Sequence, residues 1–258
     1  AGLLQNEIVN VYGAALADLA SLENNVLFTI ACLMVLMGEG GIAELEACGV
    51  RLSMVDQSIF VRDYPIFGVD PVDRTFRCLG AEDNARLRLR KLVAEIRPEL
   101  VSRAARILIK AGRCDLAMDL ADAFLDRHVV LELAGQYGAD LALTGHGGDV
   151  CRAASAMVDV DKQEREPTPA EALGVYLAAV SVCNIKLARY MASVIEHAGE
   201  RAARETEPTT WRIAQALTIA CYGDNDLGLP ANPALQERET PCEVLDMLSA
   251  HIEVKRRL

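Results

Sequence analysis

The stretch "PAEALGVYLAAVSVCNIKLARYMASVIEHAGERAARE", Pro169 to Glu205, decides what kind of fold this chain can form. Proline at its start suits the first turn of a helix. Its first half is apolar nearly all round, which is the mark of a helix buried on every side. Its second half becomes charged. The spacing predicts one long helix whose beginning sits at the centre of a helical domain.

The rest of the chain reads in the same way. The 258 residues are 52% hydrophobic and 24% charged, enough to bury one large core or two modest ones. Alanine and leucine dominate, and only 5% of residues are aromatic. That balance favours helices packed through small side chains over a β-sandwich. Residues 3–22 place Leu4, Ile8, Val11, Ala15 and Leu19 on one helical face. The run "VLFTIACLMVLMG", Val26 to Gly38, is too short to span a bilayer and reads as a core helix. Helices are also expected over 82–96 and 98–111, and in "HVVLELAGQYG", where Gly138 stands in a C-cap position.

Two stretches interrupt the helical text. "VRLSMV", "SIFV" and "RTFRCL" are short alternating runs broken by Asp, Pro and Gly, so a small β excursion is expected near 50–79. "DVDKQEREPTP", Asp159 to Pro169, carries two prolines and no apolar period. It reads as a linker between a lobe over 1–158 and a lobe over 170–258, or as an exposed loop within one domain. The expected fold is therefore mostly α, a two-lobed or irregular multi-helix protein. A further terminal helix is expected from "PCEVLDMLSAHIEVKRRL".

The cysteines Cys32, Cys48, Cys78, Cys114, Cys151, Cys183, Cys221 and Cys242 have no CxxC spacing, and most sit in apolar helical text. They read as reduced, buried thiols. The N-terminus has no basic region of a signal peptide and reads as a helix start. A cytoplasmic location, or a particle assembled in the cytoplasm, is expected, with no membrane partner.

Net charge is −11, unevenly spread. Nine cations lie between 86 and 113: Arg86, Arg88, Arg90, Lys91, Arg97, Arg103, Arg106, Lys110 and Arg113. Only Glu95 and Glu99 oppose them, so this segment carries +7 and the remainder −18. After Pro98, the residues Arg103, Arg106, Lys110 and Arg113 recur at i, i+3, i+7 and i+10, along one helical face. "RLRLRK" reads either as a helix or as a strand with one basic face. Guanidinium groups suit phosphates. Aromatics for base stacking are scarce nearby, so the nine residues are candidate contacts to the backbone of RNA or single-stranded DNA, without sequence preference. Alternatively they pair internally with acids such as Asp115, Asp119 and Asp122, or with an acidic face of a second copy.

Other motifs are weaker. "GADLALTGHGGDV", Gly138 to Val150, is similar to the strand and glycine loop of the asparagine-synthetase family, which implies ATP use around 144–149. The Ser-Gly-Gly-x-Asp-Ser-type loop that grips pyrophosphate in that family does not occur here. "AGRCDLAMDLADAFLDRHVVLELAGQYGADL" resembles a single ankyrin-type repeat, which implies a protein–protein scaffold. Glu196, His197 and Glu200 stand at a helix end, but a di-iron site needs a second Glu-x-x-His. There is no HExxH, Walker loop or G-x-S-x-G. The layout of helical lobes with a basic face resembles that of viral nucleoproteins. The sequence thus leads to a non-enzymatic, self-associating helical protein, a nucleocapsid- or capsid-like homo-oligomer with no catalytic residue, metal or cofactor. An irregular-repeat scaffold and a nucleotide-dependent enzyme are the alternatives.

Overall fold

The computed structural model describes residues 2–22, 25–47, 49–81, 83–155, 166–223 and 227–230. The protein is mostly α, with thirteen helices and one two-stranded sheet among these residues. It divides into two compact units, residues 1–125 and 126–258. The greater part of the proposed linker (159–165) and the expected terminal helix lie outside the described residues.

The first unit is built on an apolar helix. Its elements are α1 (Gly2–Ser21), α2 (Asn25–Met37), β1 (Glu39–Gly41), α3 (Ile42–Ala47), α4 (Met54–Asp63), β2 (Thr75–Arg77), α5 (Asp83–Ile96), α6 (Pro98–Lys110) and α7 (Cys114–Phe124). Every residue from Ile30 to Met37 is buried, because α1, α3, α5 and α6 all pack on α2. The apolar run is therefore a core helix, as its length requires. Beside it, Phe67 packs edge-on to both Tyr12 and Phe60, with ring centroids 5.4 and 5.5 Å apart. The Tyr12 hydroxyl donates to Ile66 O at 2.7 Å and lies 3.0 Å from Leu79 O, which ties α1 to the chain on both sides of the sheet strand β2.

The extended stretch expected near 50–79 is only partly extended. β2 lies within it and pairs antiparallel with β1, Gly40 opposite Phe76, but residues 54–63 are helical. The reason is a capping box. Ser53 Oγ accepts from the Asp56 N–H at 3.1 Å, and the Ser53 N–H donates to the Asp56 carboxylate at 2.9 Å. Two otherwise orphaned donors are satisfied, and the local β preference of Val55, Ile59 and Val61 is overruled.

The second unit contains α8 (Arg127–Leu143), α9 (Gly147–Ser155), α10 (Pro169–Ser181), α11 (Ile185–Ala198), α12 (Glu200–Glu205) and α13 (Pro208–Tyr222). Helix α10 is central, and each residue from Glu171 to Val180 is buried. It packs against the other five helices of the unit. The single long helix expected over 169–205 is instead three. Cys183 takes a left-handed conformation (φ 59°), and Asn184 Oδ1 then accepts from the Leu187 N–H at 3.2 Å to start α11. A side chain that can cap a new helix competes with continuing the old one. Gly199 (φ 53°) makes the second break.

Gly138 does not end its helix. α8 bends at Tyr137 (φ −132°, ψ 22°) and continues to Leu143. The glycine is there for contact. A Cβ on Gly138 would lie 2.4 Å from Gly174 Cα, and one on Gly174 would lie 2.0 Å from Ala134 O. Helices α8 and α10 touch backbone to backbone, closer than any side chain allows.

Candidate functional site

The segment 86–113 is two helices and a turn. "RLRLRK" is helical, and α5 buries Ala85, Leu89 and Val93. Its leucines do not form one face, since Leu87 is exposed. Helix α6 buries Leu100, Val101, Ala104, Ala105, Ile107, Leu108 and Ile109. Its other side carries Glu99, Arg103, Arg106 and Lys110.

The nine cations separate into two sets. Arg88, Lys91, Arg103 and Lys110 are exposed, and Arg106 is half-buried beside the latter two. Arg88 donates to the side-chain oxygen of Asn6, a neutral acceptor. Glu99 is the acid on the outer face of α6, and Arg97 Nε already donates to it at 2.5 Å. The neighbouring charges of Arg97 and Arg103 hold the Glu99 carboxyl below the usual carboxylate range, the hydrogen bond to Arg97 most strongly.

The second set turns inward. Arg97 also reaches Thr29 Oγ1 at 3.5 Å and covers the Phe28 ring, 5.7 Å from its centroid. Arg90 Nε donates to Leu36 O at 3.0 Å. Arg113 donates to Glu39 O (2.5 Å) and Met37 O (3.4 Å) and pairs with Glu44 (3.4 Å). Arg90 and Arg113 thus close the C-terminal end of α2. The last carbonyls of a helix have no intrahelical partner, and that end carries partial negative charge. Arg86 is half-buried one turn before Arg90. Its Nε is buried and has no hydrogen-bond partner among the described residues.

Sequence reasoning put all nine on one list because it sees spacing, not partners. The acceptors for Arg90 and Arg113 lie 54 and 74 residues away, and nothing local signals them. Of the acids weighed as internal partners, Asp119 acts on Arg90 through its field and favours the charged form.

The glycine turn Thr144–Asp149 joins α8 to α9. Gly145 has φ 95°, and the His146 N–H donates to Leu141 O at 2.9 Å. A Cβ on Gly147 would lie 2.2 Å from Ser181 Oγ and 2.8 Å from Ala178 O, so this glycine sits flat against α10. The Asp149 carboxylate accepts from Arg152 at 2.8 Å and lies 3.2 Å from His146 Nδ1. The side chains of the turn, Thr144, His146 and Asp149, are each within reach of a neighbouring protein group, and Gly147 is packed on α10. At the other candidate, His197 Nδ1 donates to Ser193 O at 2.6 Å, and Glu200 pairs with Arg204 at 3.0 Å. No group of three or more metal-ligating side chains gathers among the described residues. None of their helices is long and apolar enough to cross a membrane.

Comparison with protein-family models, curated proteins and solved structures returns no match for this chain.

Proposed function

We propose that this is a non-enzymatic helical protein that self-associates and contacts a nucleic-acid backbone through the outer face of α6. The observation that carries the reading is the division of labour on that helix. Its apolar face is fully used within the first unit, while Arg103, Arg106 and Lys110 fill the opposite side. The one acid on that side is already bound by Arg97. Exposed Arg88 and Lys91 on α5 add to the local positive potential. A short cationic strip on a protein of net charge −11 favours confined contact with phosphates over coating by any polyanion.

The exposed Asp115, Asp119 and Asp122 of α7 recur at i, i+4 and i+7 and make an acidic strip on the helix packed beside α6. Two such strips of opposite sign supply a physical route to self-association. The buried thiols of Cys32, Cys78, Cys114 and Cys151 stand outside any disulfide and fit a reducing compartment such as the cytoplasm.

The test is binding of a single-stranded RNA oligonucleotide, read by fluorescence anisotropy over a salt series. About three phosphate contacts should give a slope of log K on log salt near −2. Arg103→Glu, Arg106→Glu and Lys110→Glu together should abolish binding. Unchanged, salt-independent binding by that triple variant would sink the proposal. Electron microscopy of protein purified with and without nuclease reports assembly and cargo together.

A further inference from the structure

A second cluster of cations in the first unit has another use. Arg86 and Arg90 stand at i and i+4 on α5, so their side chains share one face. From that face Arg90 reaches the end of α2. Arg90 Nε is held by Leu36 O, and a Cβ on Gly38 would lie 3.8 Å from Arg90 Nη2. Arg113 arrives at the same helix end from the α6–α7 turn, bound to Met37 O and Glu39 O. Two guanidinium groups therefore meet at residues 36–40, and Arg86, one turn before Arg90, lies near enough for its charge to act on Arg90.

Their compensation is incomplete. Glu44 pairs with Arg113. Arg90 feels the field of Asp119, but no carboxylate bonds to it, and its two terminal nitrogens have no hydrogen-bond partner among the described residues. Arg86 has none among them, and its Nε is buried. Burial and the like charges of Arg86 and Arg113 all weigh against the charged form of Arg90. An arginine does not escape by losing its proton. A buried guanidinium N–H without an acceptor, as at Arg86 Nε, is costly, and an oxyanion accepting from both arginines would relieve that donor and the repulsion at once.

We propose that Arg86 and Arg90, backed by Arg113, form a binding site for a phosphate-sized oxyanion, free inorganic phosphate or the terminal group of a phosphomonoester. The fork geometry of two neighbouring guanidiniums matches a tetrahedral oxyanion, whose oxygens can accept from both. The site is independent of the cationic strip on α6. Arg90 and Arg113 also hold the fold, so Arg86 is the residue to change.

The experiment is thermal melting and isothermal titration of the full chain with sodium phosphate, with phenyl phosphate, and with sodium chloride at matched ionic strength. Both phosphates should raise the melting temperature where chloride does not, and the tighter of the two identifies the source of the group. Arg86→Gln should weaken phosphate binding at least about tenfold. In phosphate-free buffer it should melt no lower than the unmodified protein, because it removes a repulsive charge. Arg86→Lys keeps the charge, loses the fork, and should fall between the two. The triple charge reversal on α6 should leave phosphate binding intact. The proposal is overturned if phosphate stabilises no more than chloride, or if Arg86→Gln and Arg86→Lys bind it as the unmodified protein does.

Discussion

Helices α2 and α10 are the two most buried long helices among the described residues, and they are made stable in different ways. Each is apolar on all sides and central to its unit. Around α2, side chains do the fitting, and its last carbonyls receive arginines that arrive from 54 and 76 residues further along the chain. Around α10, the closest fitting is done by the absence of side chains. Gly174 meets Ala134 and Gly138, and a Cβ on Gly135 would sit 3.0 Å from Glu171 N. Its polar tie is neutral: Tyr176 and Thr218 share a buried hydrogen bond of 2.8 Å to α13. A buried helix needs close neighbours and satisfied ends, and either need can dominate its design.

The contrast is broken most directly at Gly174. Gly174→Ala forces a methyl into the backbone of α8, and the loss should be about 3 kcal/mol despite the better helix propensity of alanine. Trp211, the single tryptophan, is buried in the second unit, so its fluorescence during urea unfolding checks this. A loss below about 1 kcal/mol would mean that α8 and α10 can part without penalty.

For α2 the matching change is Arg113→Met. It removes one bond to a carbonyl at the helix end and one to β1 just beyond it, and leaves Glu44 without that cation, for a loss of about 2 kcal/mol. Far-UV circular dichroism during urea unfolding reports it. A variant as stable as the original would show that water serves those carbonyls equally well.

Alkaline pH sharpens the comparison in the first unit. Burial pushes the Cys32 and Cys78 thiols up from 9.0 to about 12. In both, the folded state holds its proton more tightly than the unfolded chain does. Their contribution is complete below pH 9 and is lost as pH rises towards 12. At pH 10 the loss should be about 1 kcal/mol per thiol. Cys32→Ala should flatten the stability profile above pH 9, although it lowers stability at pH 7. An unflattened profile would place the alkaline transition elsewhere.

The smallest effects are at the caps. Ser53→Ala and Thr168→Ala each remove half of a capping box, and each should cost about 1 kcal/mol. Equal losses would show that starting a peripheral helix and a central one are alike. A far larger loss at Thr168 would show that α10 depends on its start as well as on its glycines.

Much of this architecture is visible in the sequence. Long apolar periods announce α1, α2 and α6, and Pro98 and Pro169 announce two helix starts. The Ser53-x-x-Asp56 signal for α4 was equally present, but the alternation of Val55, Ile59 and Val61 obscured it. The candidate site is half legible. The spacing of Arg103, Arg106 and Lys110 predicts a shared face, and they share it. The same spacing places Arg113 with them, yet α6 ends at Lys110 and Arg113 turns to Glu39 and Glu44.

What the sequence alone determines is local and periodic. A helical chain with two apolar centres and one strongly cationic segment follows from side-chain spacing, because periodicity and charge are properties of neighbours in the chain. Which glycines are turns and which are contacts was decided by tertiary structure. Gly145 serves a backbone angle, whereas Gly138, Gly147 and Gly174 serve surfaces that exist only when two helices meet. Which arginines face outward was decided in the same way. A guanidinium turns to the acceptors within its reach, and those belong to segments brought beside it only by folding.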